Sequence, residues 1–227
     1  MLPYLLFLLL RRYQQKHPGQ TRLFFTRFPL VLRVTLLLLL TAGIALYVFS
    51  QERVLQYTIR RSGAAVGNMI VKEDKNSNGI TYKMWSTVKT SFLFTIIVKA
   101  IEEATYENGV LTYSHSYQKV NSSERLNTEI QANGKGYTVI SKQDVKPFTS
   151  YPITYNMICL YTMEPLHMAR LFVDKSQQFV PIESLGRHHY KITFPDGNSN
   201  EYFYEDGICT TVKLYGTWYN AEMELKR

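Results

Sequence analysis

One segment of the chain has the residue types and spacing of a calcium-binding loop. Aspartate and asparagine alternate from Asp74 to Asn78 and precede Gly79, as in the first six positions of such a loop. The twelfth position is Trp85, where calcium requires a bidentate glutamate. Hairpins rich in Asn and Asp are common, so we interpret the segment as a turn and predict no metal site.

The histidines are the second group of residues that could take part in catalysis or metal binding, and they stand at positions 17, 115, 167, 188 and 189. Acid–base or metal-binding work needs two or three of them to converge with carboxylates. His188 and His189 are neighbours, which in a strand point to opposite faces. His115 falls in the inward phase of its strand, as a core histidine would. Glu102 and Glu103 are expected on solvated faces.

The sequence contains no motif of a serine hydrolase, zinc protease, P-loop or dinucleotide-binding protein. We therefore predict no catalytic residues and no cofactor, and an enzyme is not the favoured interpretation.

Cys159 and Cys209 are the two cysteines of the chain, too few for a disulfide scaffold and without a zinc-binding spacing. Export would place them in an oxidising compartment, where a bridge is allowed. Nothing in the sequence shows that they meet, so a disulfide and two buried thiols are both open.

Aromatic side chains are abundant, with 17 Tyr, 12 Phe and 2 Trp. Tyrosine is a good strand former with a polar tip, and it also suits a cavity that holds a lipid or a glycan. Core packing is the expected role of most of them. The candidates for a cavity wall are Trp85, Tyr113, Tyr117, Tyr202 and Tyr204.

The net charge of +8 is unevenly placed, because residues 1–50 contain basic residues and no acidic ones. The rest of the chain is nearly balanced and has no basic stripe for phosphates. We therefore predict no nucleic-acid partner.

The basic N-terminal segment has the features of a targeting signal. Arg33 precedes an apolar run from Val34 to Phe49, which predicts a signal peptide over about 32–50, cleaved after Ser50. The protein would then be periplasmic or extracellular. The alternative is an uncleaved anchor, which would be the protein's contact with the membrane. Because residues 1–31 serve no clear purpose before such a signal, we expect translation to begin near Leu32.

Residues 51–227 are predicted to form one domain made of antiparallel strands. Apolar and polar residues alternate, and turn residues recur every eight to twelve positions. Five Asn-Gly or Asp-Gly pairs are typical of hairpins: Asn78-Gly79, Asn108-Gly109, Asn133-Gly134, Asp196-Gly197 and Asp206-Gly207.

Two stretches depart from this pattern. Thr149–Pro152 is typical of a helix start, and helical spacing of apolar residues continues to Tyr161. Phe92–Val98 is apolar on both faces, which predicts a central, doubly covered strand. The fold class is thus all-β or β-dominated: a single curved antiparallel sheet, a half-open barrel of about ten strands, with one short helix packed against it and an N-terminal hydrophobic signal segment before it.

Three segments carry a resemblance to a family: Tyr57–Gly67, Glu164-Pro165 and Tyr190–Gly207. They resemble an uncharacterised family of exported bacterial β-proteins, which is similar to the lipoprotein-carrier superfamily. There, a curved sheet wraps a helix and a hydrophobic cavity. Over roughly residues 54–227 the resemblance implies this fold, a cell-envelope setting and an apolar ligand, and it supplies no binding or catalytic residues.

The leading hypothesis is a non-enzymatic exported domain that binds or carries a lipid or acyl ligand. The alternative is a structural or protein-interaction module with a solid core, and an envelope hydrolase comes third. The interior of the sheet distinguishes the three: open and apolar, filled, or polar with titratable groups.

Overall fold

The computed structural model describes residues 51–91, 95–148, 152–217 and 219–227, together with Arg12. The predicted signal peptide, its cleavage after Ser50 and the start near Leu32 lie outside the described residues, as do parts of the segments 92–98 and 149–152. Among the described residues, no helix has the length and apolar character needed to cross a bilayer.

The described residues form one antiparallel sheet of fourteen strands in the order β8-β7-β6-β5-β4-β3-β2-β1-β14-β13-β12-β11-β10-β9. The strands are β1 (Gln51–Arg61), β2 (Ala64–Asn76), β3 (Gly79–Ser91), β4 (Thr95–Glu107), β5 (Val110–Val120), β6 (Ser123–Ala132), β7 (Tyr137–Ser141), β8 (Val145–Phe148), β9 (Arg170–Val173), β10 (Gln178–Gly186), β11 (His189–Thr193), β12 (Ser199–Glu205), β13 (Ile208–Tyr215) and β14 (Asn220–Leu225). The fold class predicted from the sequence is confirmed. The number of strands was underestimated, since four-residue strands such as β8 and β9 are too short to show alternation.

The hairpins form where Asn-Gly and Asp-Gly pairs predict them. Asn108 and Gly109 both have positive φ, of 51° and 76°, the backbone that a two-residue hairpin turn requires. In the β2–β3 turn, the Asn76 side-chain oxygen accepts hydrogen bonds from the backbone N–H of Asn78 and Gly79 at 2.9 and 3.1 Å. The calcium-like segment is thus a turn closed by its own asparagine.

The first and last strands pair with each other inside the sheet. Residues 57–60 of β1 lie opposite residues 222–225 of β14, and the Lys226 N–H donates to the Gln56 carbonyl at 2.8 Å. Every other neighbouring pair of strands is consecutive in sequence. The sheet therefore consists of two meanders, β1–β8 and β9–β14, joined at the β1–β14 pair.

The sheet curls without closing by strand pairing, and its edge strands are β8 and β9. Phe148 of β8 packs on Phe172 of β9, with ring centroids 5.8 Å apart.

The connector between β8 and β9 also links distant parts of the sheet. The Leu111 N–H donates to the Ile153 carbonyl at 2.8 Å, and the Phe172 N–H donates to the Tyr155 carbonyl at 2.9 Å.

The predicted helix is present only as a five-residue 3₁₀ turn, Met157–Tyr161. Asn156 forms a parallel bridge with Phe172, which keeps the residues before the turn extended. The helical spacing arose because both the extended segment and the turn bury apolar side chains.

The connector and the turn fill much of the interior of the curled sheet. Their buried side chains are Ile153, Tyr155, Ile158, Cys159, Leu160 and Tyr161. They belong to one apolar core with inward-facing residues of both meanders, including Val71, Leu111, Ile192 and Val212. Tyrosines are frequent in this core, so their hydroxyl groups need hydrogen-bond partners in the interior.

Two predictions about strand faces were wrong. A bulge between β4 and β5 at Thr105/Tyr106 shifts the phase of β5, so Ser114 and Ser116 are buried instead of His115. His115 instead contacts Asn127, with Nε2 and Oδ1 3.0 Å apart. The described part of Phe92–Val98, residues 95–98, has no fully buried residue, so this stretch of β4 is not covered on both faces.

Candidate functional site

A pocket of about 480 Å³ remains in the curled sheet beside the 3₁₀ turn. Strands β3 and β4 form one wall, β12 and β13 form the opposite wall, and the 3₁₀ turn closes the inner end. The β9–β10, β11–β12 and β13–β14 connections form the mouth. Its volume is within the range of about 300–1,000 Å³ that is typical of small-molecule sites.

The side walls of the pocket are mainly apolar. Met84, Met157, Tyr161, Val173 and Leu214 line it, and these side chains are continuous with the core. An apolar ligand placed here would leave water and contact the same kind of surface that holds the fold together.

The mouth of the pocket is aromatic and is held by cross-linked turns. Tyr215 and Tyr219 line it and are exposed at 39% and 53%. The Asn198 side-chain oxygen accepts from the Thr217 backbone N–H at 2.9 Å, which ties the β11–β12 turn to the β13–β14 connection. The mouth thus presents apolar rings on a connected rim.

Glu102 is the titratable group set among these apolar walls. It lies opposite Met84 and Ser116 in the neighbouring strands, and therefore on the inward face. The pKa of Glu102 is raised to about 7, mainly by burial and also by the nearby Asp174, while Lys175 opposes the shift. A carboxyl group with this pKa changes charge near neutral pH.

Unpartnered polar atoms cluster beside Glu102. Asp174 Oδ2 accepts from the Asn156 side-chain amide at 3.0 Å, but Asp174 Oδ1 is buried without a partner, as are the hydroxyls of Ser114 and Ser176. Burial raises the pKa of Asp174, and the nearby Ser114 hydroxyl partly opposes this shift. The geometry between the Ser114 hydroxyl and Asp174 does not meet that of a hydrogen bond. Such atoms usually have a partner in native proteins, and of these three residues Ser176 lines the pocket.

The filled end of the interior, the end occupied by the connector and the 3₁₀ turn, differs in this respect because several of its tyrosine hydroxyls have partners. The Tyr57 hydroxyl donates to the Cys209 carbonyl at 2.7 Å, and the Tyr204 hydroxyl donates to the Leu160 carbonyl at 2.8 Å. Tyr155 donates to the Met163 carbonyl. Thr162 Oγ1 is the exception among the described residues there.

A second polar cluster surrounds Glu164, one of the residues that carry the family resemblance. Its carboxylate accepts from the Tyr190 hydroxyl at 2.9 Å and lies 2.9 Å from His188 Nδ1. The other ring nitrogen, His188 Nε2, accepts from Arg187 Nε at 3.3 Å. The cluster thus connects the segment after the 3₁₀ turn with His188 and with Tyr190 of β11.

Both cysteines are free and buried in the structure, so the bridge considered from the sequence is not formed. Cys159 Sγ lies 3.5 Å from the Tyr106 hydroxyl and 3.3 Å from Asn156 Oδ1. Burial raises the pKa of each thiol to about 12, which keeps both protonated and unreactive.

The structure does not bring together the five aromatic residues proposed as a cavity wall. Tyr202 and Tyr204 are buried in the core, and Tyr202 accepts a hydrogen bond from Asn200, a pocket residue, at 3.2 Å. Trp85, Tyr113 and Tyr117 lie on the opposite, outer face of the sheet. The bulge in β5 is again the reason that Tyr113 and Tyr117 lie on the outer face.

The sequence does not mark Glu102 as a site residue, since it predicts a solvated face or a strand end for this side chain. Its signal was faint: it lies two positions before buried Ala104 in strict alternation, and Glu103 of the other phase forms an ion pair with Lys83 at 3.3 Å. Within the described part of the chain, no three His, Cys, Asp or Glu side chains are placed to hold a metal ion.

The described unit is thus a barrel-like antiparallel sheet whose interior is partly filled by its own connector, with a pocket beside that connector. Residues 57–226 match the model of a family described as a domain of unknown function, DUF6134. The chain belongs to this family.

A solved structure shares the fold. It is a crystal structure of a β-barrel-like protein of the domain of unknown function DUF1849 from Brucella abortus, which is similar to this chain with a TM-score of 0.51 and 11% sequence identity. The similarity covers 79% of this chain and 96% of that one. No curated protein matches the sequence at a significant level.

Proposed function

We propose that the domain binds a hydrophobic or amphipathic ligand, of the lipid or acyl class, in the pocket beside the 3₁₀ turn. The observation that carries this proposal is the pocket itself: about 480 Å³ of open space beside the 3₁₀ turn, with mainly apolar side walls. Affinity would come from burying apolar area, at roughly 25 cal/mol per Å². The likeness to lipoprotein carriers, inferred from the sequence, favours the same class of ligand.

A blocking variant tests the proposal. Leu214→Trp adds a large ring to the pocket wall, and Leu185→Trp adds the same ring at an exposed position of β10. Titration with the neutral apolar dye Nile red should show binding to the wild type and to Leu185→Trp, and at least about tenfold weaker binding to Leu214→Trp. Native mass spectrometry of the gently purified wild type should show a co-purifying apolar molecule.

Folding is checked by circular dichroism, and Tyr219→Ser at the rim provides a second variant that leaves the core intact. A wild type that is repeatedly recovered empty and does not bind the dye would contradict the proposal. Equal binding by all of the variants would place the dye outside this pocket and would contradict it as well.

We also propose that the protein acts in the bacterial cell envelope after export. The support is the basic flank and apolar run over about 32–50, together with the family resemblance. Intact-mass measurement on the protein from its native source should give a chain that begins at Gln51. A retained Val34–Phe49 segment would indicate an anchor, and peptides from residues 1–30 would contradict the start near Leu32.

The second candidate, a protein-interaction module, is supported by the outer face. Ile70, Trp85, Ile101 and Tyr117 are paired in register across β2–β5 and form one apolar row. Trp85 is 39% exposed. The variant Trp85→Lys separates the two candidates: loss of self-association or partner binding with dye binding unchanged would favour the interaction module.

A further inference from the structure

We propose that the pocket selects amphipathic ligands whose polar end is a protonated amine. This inference rests on the proposed function and specifies the class of its ligand. It follows from the placement of Glu102 and Ser176 in the pocket lining, with Asp174 beside Glu102, because ionised carboxylates only accept hydrogen bonds and a serine hydroxyl can accept as well as donate.

The charges around the pocket favour a cation. Glu102 and Asp196 line it, and Asp174 is adjacent to Glu102. Among the described residues that line the pocket, the basic one is Lys175, which is exposed and therefore hydrated and screened. A carboxylate or phosphate head group would be placed next to like charges, whereas an ammonium group would relieve the repulsion between Glu102 and Asp174.

An unpartnered hydroxyl in the pocket lining, that of Ser176, can accept a hydrogen bond from an ammonium group. Ser114 is 1% exposed, and its hydroxyl faces Asp174 without a completed hydrogen bond. Asp174 Oδ1 and Ser176 Oγ are likewise buried without partners, and Ser176 lines the pocket. A primary ammonium group has three donors, whereas an alcohol has one and a carboxylate has none.

The aromatic rings of the pocket are compatible with the same ligand. Tyr161, Phe194, Tyr215 and Tyr219 line it, and the faces of aromatic rings attract cations. The apolar tail would lie along Met84 and Leu214, on the side walls.

The charge state of Glu102 sets the pH dependence. Among the described residues, those that interact electrostatically with Glu102 are Asp174, Lys175, Tyr161 and Tyr202, and Asp196 lines the same pocket. Burial raises the pKa of both tyrosines, so they are neutral at physiological pH. Asp174, whose pKa is also raised, and Glu102 are therefore the groups that an amine would convert to their ionised forms. Binding would release a proton when it begins with protonated Glu102.

The test uses three molecules with the same tail: octylamine, octanol and octanoate, each below its micelle concentration. Their displacement of Nile red from the full chain is measured at pH 8. Octylamine should displace the dye at about one tenth of the octanol concentration, since it adds charge-assisted hydrogen bonds. Octanoate should be the weakest of the three.

The matched variants are Glu102→Gln and Glu103→Gln, neighbours on opposite faces of β4. Glu102→Gln should remove most of the preference for octylamine over octanol and leave octanol binding intact. Glu103→Gln should behave as wild type. In wild type, the affinity for octylamine should decrease as the pH is lowered below the pKa of Glu102, with a limiting slope of about tenfold per pH unit. The affinity for octanol should stay constant.

The outcomes separate this inference from the proposed function. If the dye and all three molecules fail to bind, the proposed function is wrong. If they bind with equal strength, or octanoate binds best, the pocket is apolar but the amine inference is overturned. A second variant, Lys175→Met, removes the neighbouring cation and should strengthen octylamine binding. Unchanged or weaker binding of octylamine by this variant would count against the inference.

Discussion

The filled end and the pocket end of the interior differ in how their polar groups are satisfied, although one sheet surrounds both. At the filled end, the connector packs Ile153 and Leu160 against the sheet, and Tyr57 and Tyr204 donate hydrogen bonds to specific carbonyls. At the pocket end, Glu102 is desolvated beside Asp174, and several polar atoms lack partners. The first arrangement stabilises the fold, and the second costs stability.

This difference separates the residues that hold the structure from those suited to function. Unsatisfied buried groups in a native protein call for an explanation, and active and binding sites are where proteins tolerate them. The comparison therefore predicts that substitutions at the filled end lower the free energy of unfolding, whereas substitutions of the desolvated or unpartnered polar groups at the pocket end leave it unchanged or raise it.

The largest effect is expected at Leu160, which is fully buried. Leu160→Ala should lower the free energy of unfolding by about 2–5 kcal/mol, because it removes apolar contacts and leaves a cavity. The control is Leu185→Ala, at a position 42% exposed, which should change it by less than about 0.5 kcal/mol. Urea denaturation measures both, and equal effects would show that the connector is not part of the core.

The next effect is expected at Tyr57. Tyr57→Phe deletes the hydroxyl that donates to the Cys209 carbonyl and should lower the free energy of unfolding by about 1–2 kcal/mol. Tyr219→Phe, at the exposed rim, is the control and should have no measurable effect in the same denaturation experiment. A neutral Tyr57→Phe would remove the contrast between the two ends.

A smaller effect of opposite sign is expected at Glu102. Its pKa is raised from 4.5 to about 7, so the native state binds the proton more tightly than the unfolded state, and stability falls as pH rises through this window. Glu102→Gln should raise the free energy of unfolding by about 1 kcal/mol at pH 8 and change it little at pH 4. Denaturation at the two pH values measures this, with Glu103→Gln as the control, and a destabilised variant at pH 8 would contradict the desolvation argument.

The smallest effect is expected at Ser114, a buried residue whose hydroxyl has no partner. Ser114→Ala should change the free energy of unfolding by no more than about 0.5 kcal/mol, since no completed hydrogen bond is lost. A loss as large as that of Tyr57→Phe would mean that the hydroxyl is satisfied in solution, and the two ends would then be alike.

The sequence predicts the fold class better than it predicts the pocket. Alternation and hairpin pairs such as Asn108-Gly109 are local signals, so they identify the antiparallel strands. One bulge in β5 reverses the faces of Tyr113 and Tyr117, and no local residue pattern announces it. Glu102 joins Asp174 through packing between elements distant in sequence, and alternation along one strand does not report such a meeting.

The pairing of β1 with β14 has a consequence for how the chain folds. Every other neighbouring strand pair joins strands consecutive in sequence, so each meander can form through local contacts. The β1–β14 pair closes nearly the whole domain into one loop, and pairings of this length form slowly. We therefore expect refolding to be limited by this seam. Relocating the chain ends to the Asn133-Gly134 turn, with residues 51 and 227 linked, should make the seam a local contact and speed refolding.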